Sequence, residues 1–223
     1  MTDARKLVRA GSVMLVVAGI LYIALPFVPG SRALDQIGTT NWWIASYLST
    51  LHHFVLLFGL FAPFTIQREQ AGGLGLIAFV AATLGNALAG AIGVVRIAVL
   101  PVMASNPDGQ AALICLPFYD AATEAARGFI AAACEGWNFD VLGVWAGSAW
   151  FALIFGSIAL GLAIVRAKVL RPWPGVLLVI GWLGILAGLV LPIPELIAGF
   201  AYAVVGAAYL WCGLEVWSAP RPG

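Results

Sequence analysis

Charge is scarce in this chain: Asp, Glu, Lys and Arg make up only 9% of 223 residues. A soluble domain typically carries about 25%. The balance of +1 offers nothing to a polyanion, which excludes a basic nucleic-acid binder. Histidine is nearly absent, with two residues, and cysteine is limited to three. His52 and His53 are adjacent, about 100° apart on a helix, so they cannot clamp one haem iron from opposite faces. A zinc site needs three or four ligands. His52, His53 and one carboxylate make a poor set, and no metal is expected. No G-x-S-x-G, Walker or G-x-G-x-x-G pattern stands in a usable context, and Gly72-Gly73-Leu74-Gly75 reads as a turn.

What the chain has instead is apolar surface. Hydrophobic residues account for 62% and the mean hydropathy is +1.01, more than a soluble protein of this size can hide. A helix needs about 20 apolar residues to cross the hydrocarbon core. Six stretches qualify, roughly 7–28, 43–66, 74–103, 141–165, 175–193 and 196–217. Backbone groups in lipid must be satisfied internally. The expected fold is therefore an all-α integral membrane protein, a six-transmembrane-helix bundle forming a single domain over 1–223. The first stretch resembles a signal peptide in its basic start. However, Pro26, Pro29 and Gly30 replace a small-residue cleavage site, so it reads as a retained span.

Basic residues set the sidedness. Arg5, Lys6, Arg9, Arg68, Arg166, Lys168, Arg171 and Arg221 all fall on one side of the six spans, and only Arg32 and Arg127 lie in the loops of the other. The positive-inside rule places both termini in the cytoplasm of a multi-pass inner (plasma) membrane protein. The one substantial outer loop is 104–140. Within it, 118–133 reads as an extracytoplasmic interfacial helix, with Asp120, Thr123, Glu124 and Arg127 on one face and Phe118, Ala122, Ala125 and Phe129 on the other. It is either a lid that solvates the outer end or a gate over a cavity. Cys115 and Cys134 share this oxidising side and are expected to form a disulfide, while Cys212 lies in the cytoplasmic half of the last span.

Small residues mark expected helix contacts: Gly143 with Gly147, Gly184 with Gly188, and Gly199, Gly206 and Gly213 at seven-residue intervals. Trp42, Trp43, Trp137, Trp173 and Trp217 fall at expected membrane interfaces.

Ionisable groups inside spans are the functional candidates. His53 shares a helix face with Ser46 and Ser49. Counting equally from a turn near residue 70 sets His53 level with Ala87, beside Asn86, so a His53–Asn86 contact is expected. His52 points toward a neighbouring helix or lipid, and its loss is expected to matter less. Arg96 sits higher and reaches toward the outer side, where Glu195, Asp140, Asp120 and Glu124 are candidate partners. The plain reading of each group is structural: a buried imidazole bonded to an amide, an arginine paired with an outer carboxylate.

The run Trp43-Ile44-Ala45-Ser46-Tyr47-Leu48-Ser49-Thr50-Leu51-His52-His53 is followed by a basic turn at Arg68. A Gly73-Leu74-Gly75-Leu76 opening and Ala98-Val99-Leu100-Pro101 come next. Together these resemble a loose group of small, uncharacterised bacterial polytopic membrane proteins. The resemblance covers mainly spans two to four and implies a fold. Size and acidic-residue usage are also similar to membrane-embedded terpene cyclases, with no shared motif.

Three functions are compatible with this pattern. The first is a non-enzymatic membrane protein that binds a lipid-like or small amphipathic ligand in an outward-facing polar cavity. His53, Asn86, Arg96, His52, Ser49, Glu195, Asp120 and Glu124 would be its contacts, with the lipid bilayer as a partner. The second is an intramembrane enzyme acting on a lipid or isoprenoid, with His53 as base and an outer carboxylate as acid. The third is a structural subunit of a larger membrane complex.

A reporter active only in the cytoplasm and fused to Gly223 is expected to give signal. A periplasm-only reporter giving signal there would invert the topology.

Overall fold

Prolines, caps and one glycine decide where the helices begin and end. The computed structural model describes residues 3–28, 36–105, 140–191 and 195–219. Among the described residues α1 spans Asp3–Ala24 and continues as a 3-10 turn over Leu25–Phe27, where Pro26 lacks a donor. The remaining helices are α2 (Thr40–Gly59), α3 (Phe61–Ala104), α4 (Asp140–Ala167), α5 (Pro172–Val190) and α6 (Glu195–Ser218), and no strand is present among the described residues. Thr39 caps α2, its hydroxyl accepting from the Trp42 amide at 3.3 Å. Glu215 of α6 reaches the start of α5: the Arg171 amide donates to its Oε2 at 2.7 Å, and Trp211 Nε1 donates to its Oε1 at 2.9 Å. A carboxylate there also complements the positive end of α5.

A straight helix of 44 residues, the length of α3, would extend about 66 Å, twice the hydrocarbon thickness. α3 is not straight. Gly72, at φ 59° and ψ −148°, leaves the helical region, and the chain folds back there. Phe64 stacks on Phe79 at 4.3 Å, and Phe61 meets the same ring edge-on at 5.0 Å. Further along, Phe54 lies against Gly90 and Thr50 against Gly93. The junction between α2 and α3 is slight by comparison. Leu60 keeps helical angles and its amide bonds Leu56 O at 2.9 Å, but Pro63 has no N–H to offer the Gly59 carbonyl. The stretch expected at 43–66 is thus divided between α2 and the first limb of α3, and the turn expected near residue 70 falls at Gly72.

Neighbours in sequence are neighbours in space. Each helix packs on the next, and α1 closes the ring against α6. The pairs run antiparallel: Gly11 meets Ala62 and Gly59 meets Leu15, Gly85 meets Leu153, Gly161 meets Gly175, Gly184 meets Ala201, and Gly19 meets Gly206. A Cβ on Gly19 would strike the Gly206 carbonyl, and one on Gly206 would strike that of Gly19. Such close approach lets the helices gain packing and dispersion along their backbones. Gly213 faces Ser12 and Val16 along the same seam, as the seven-residue spacing suggests. Gly147 meets nothing among the described residues, however. Gly85 and Gly156 bring α3 and α4 together instead, with Gly156 against Ala82. The interior is filled by Leu15, Leu56, Leu153, Leu160, Ile164, Leu178, Trp182, Val205 and Tyr209.

Among the described residues five helices are long and apolar enough to cross a membrane, and α2 is not counted among them. Asn41, the serines, Thr50 and the histidine pair lower its hydropathy. Large apolar side chains face outward, including Ile77, Phe151 and Phe200. Trp42 does not join them. It is fully buried with Leu100, so its expected place in an interfacial belt is corrected: within the first turn of α2 it faces α3. Trp173 and Trp217 are exposed. The loop expected to hold the interfacial helix 118–133 and the Cys115–Cys134 pair lies outside the described residues.

Only glycine adopts the Gly72 conformation without strain. Gly72→Ala is expected to lower stability by about 1–3 kcal/mol, read as a lower thermal midpoint in unchanged detergent. An unaltered midpoint would place the reversal elsewhere.

Candidate functional site

α2 turns its polar residues toward the bundle interior, where hydrogen-bond partners are available. Ser46, Thr50, His52 and His53 are all buried. Thr50 Oγ1 donates to the Ser46 carbonyl one turn back at 2.8 Å, a local bond that relieves a hydroxyl in a helix interior. Thr50 joins Ser46 and His53 on the buried stripe. Ser49 is half-buried.

The contact counted from the hairpin is formed. Asn86, fully buried on α3, donates through Nδ2 to the Ala82 carbonyl at 2.8 Å. Its Oδ1 then accepts from His53 Nδ1 at 2.9 Å. This assignment puts the His53 proton on Nδ1 and leaves Nε2 as an acceptor. His52 Nδ1 lies 3.3 Å from the Leu48 carbonyl, so the same tautomer follows. His52 Nε2 is buried and has no hydrogen-bond partner among the described residues.

His52 faces α1 and not the outside of the bundle. Its ring meets Tyr22 edge-on at 4.3 Å and lies 3.9 Å from the His53 ring. Only 2% of its surface is exposed, against 8% for His53. The expectation that its loss is milder therefore has no basis in burial. Tyr22 is itself a hub: Tyr209 lies at 5.9 Å, Tyr202 at 6.0 Å and Trp182 at 6.3 Å, bringing α1, α5 and α6 to the imidazoles. Ser157 Oγ of α4 faces Tyr209 Oη at 3.5 Å.

Reading the sequence singled out none of these four aromatic residues. A signal was available: Tyr202 and Tyr209 are spaced by seven, in step with the glycine repeat that marks the α6 contact face.

Arg96 stands apart from this cluster. Ten residues beyond Asn86 on one helix, it is about 15 Å away along the axis. Its guanidinium lies 5.6 Å from the Trp42 ring centroid. Glu195 opens α6, with its side chain outside the described part, and Asp120 and Glu124 lie outside the described residues.

Neither imidazole bonds to a carboxylate among the described residues. What the cluster offers there is an acceptor nitrogen, an ordered amide and π-faces, not an acid–base pair. A cavity of about 10 Å³, lined by Leu15, Leu60, Leu178, Tyr209 and Cys212 among others, lies away from the histidines. It has room for at most one water and is predominantly apolar.

Comparison with protein-family models, with curated proteins and with solved structures yields no match.

Removing the Asn86 acceptor should strand the His53 Nδ1–H. Hydrogen bonds between membrane helices average about 0.6 kcal/mol and reach about 1.7, whereas a stranded buried donor costs about 1–3 kcal/mol. Asn86→Leu is expected to destabilise by about 1–2 kcal/mol, and His53→Phe in that background to recover part of the loss. Strictly additive effects in this double-mutant cycle would show that the bond does not form.

Proposed function

We propose that this chain is a six-span bundle of the inner (plasma) membrane, with both termini cytoplasmic. It binds a lipid-like or small amphipathic ligand from the outer side. α2, extended by the first limb of α3, makes the sixth crossing, and its lower hydropathy is the cost of carrying the polar cluster. In this reading His52, His53, Asn86 and Ser49 line the inner part of an outward-facing site, and Arg96 stands nearer its mouth. Glu195, Asp120 and Glu124 stand at the outer rim, where Cys115 and Cys134 staple the loop that covers it.

The observation that carries the reading is His52 Nε2, a buried acceptor with no partner among the described residues. Such an atom in a low-dielectric interior calls for a donor from a ligand or water. The apolar surface around the bundle supplies a route for the ligand's chain, since lipid reaches every outward face.

Mild extraction followed by intact-complex mass spectrometry is the test. The expected result is one amphipathic molecule retained per chain, lost on delipidation with a fall in thermal midpoint. A chain that carries no lipid and is equally stable after exhaustive delipidation overturns the reading. A stoichiometric protein partner in its place would make this a structural subunit.

A further inference from the structure

We infer that the end of the α2–α3 seam remote from Gly72 receives an oxyanion, the carboxylate or phosphate of a lipid-like ligand, through Trp42, Ser46 and Arg96. The inference rests on the ligand-binding reading above and gives that ligand a charge.

The argument starts from register. Thr50 lies against Gly93, and Trp42 clusters with Leu100. Midway between these pairs the same antiparallel register sets Ser46 opposite Arg96. Trp42 and Ser46 are one turn apart, so they share the helix face that meets α3. Both are buried, at 0% and 1% exposure. Trp42 Nε1 and Ser46 Oγ have no hydrogen-bond partner among the described residues.

The chemistry of the three groups has one sign. An indole N–H only donates, and a guanidinium presents five donors and serves several acceptors at once. A serine hydroxyl donates to whichever acceptor is offered. The Arg96 guanidinium lies 5.6 Å from the Trp42 ring, so a positive charge stands beside two open donors. α2 also begins at Thr40, which directs the positive end of its dipole to the same region. Donors around a cation in a poorly solvated place select an oxyanion, and charge-assisted bonds there are the strong ones. The exposed flanks of the seam are apolar: Ile44 and Tyr47 on α2, Val95 and Val99 on α3. They suit an acyl chain attached to that head group, which favours a lipid-like source over a free ion.

The test uses the full chain purified in an uncharged detergent. Dodecanoate and dodecanol share a chain length and differ in charge. Dodecanoate is expected to bind at least about tenfold more tightly, the size of one charge-assisted hydrogen bond. Trp42→Phe keeps the ring over Arg96 and removes the N–H, and Ser46→Ala removes the hydroxyl. Each is expected to weaken dodecanoate binding about threefold to tenfold with dodecanol binding unchanged. Inorganic phosphate that leaves dodecanoate binding unaffected supports the lipid-like source. Phosphate that competes at equal concentration keeps the oxyanion site but assigns it to a free anion. Dodecanol binding as tightly as dodecanoate overturns the inference and leaves the amphipathic-ligand reading standing. Binding of neither compound overturns both. Dodecanoate binding unaltered by either substitution removes the site from this seam. The wild-type comparison of the two compounds decides the charge even where a variant fails to fold.

Discussion

The fold depends on how closely α1 and α6 approach. Gly19 and Gly206 place backbone against backbone, each filling the space a Cβ on the other would take. This contact joins the first helix to the last and turns a row of hairpins into a ring. Without that closure the interior would be an open groove. With it, the chain gains a place where a histidine pair and a carboxamide are enclosed. Tyr22 shows the dependence directly: it sits on α1, one turn from Gly19, and touches residues of α2, α5 and α6. A bulky residue at Gly19 would therefore disturb the imidazoles as well as the seam.

Polarity and burial are balanced locally along α2. Thr50 satisfies itself on its own helix, His53 across the hairpin, and His52 only at one nitrogen. Toward Gly72 the α2–α3 seam holds the Phe61, Phe64 and Phe79 rings, and the buried Gln67 there keeps an Oε1 with no hydrogen-bond partner among the described residues. Farther along, Trp42 Nε1, Ser46 Oγ and His52 Nε2 are open as well, so open polar atoms recur along the whole seam.

Much of this was legible beforehand. Long apolar runs and glycine turns specify helices and hairpins whatever the tertiary context, so the helix positions follow from length and composition alone. The His53–Asn86 contact follows from counting residues across a tight turn, because both limbs rise at the same rate. Rotation was harder to read. Trp42 and His52 each carry a polar atom on an amphipathic ring, and such residues suit either an interface or a core. Only the neighbours settle the matter: Leu100 and Arg96 for the first, Tyr22 for the second. The aromatic hub escaped notice because its members come from α1, α5 and α6, and sequence spacing relates residues within a helix, not between distant ones. Gly147 misled for the opposite reason: a small residue permits a contact without requiring one.

The Glu215 carboxylate holds the start of α5 to α6 with a backbone bond and an indole bond. At the same end Arg9 of α1 lies over the Trp217 ring of α6 at 5.4 Å. Two helices are therefore joined at this rim by short hydrogen bonds, and α1 adds a longer cation–ring contact. At the far rim α1 leaves its helical path at Pro26 and α2 has only just begun. Glu215 acts as a shared anchor: its loss would release the Arg171 amide of one helix start and the Trp211 indole of the neighbouring helix at once.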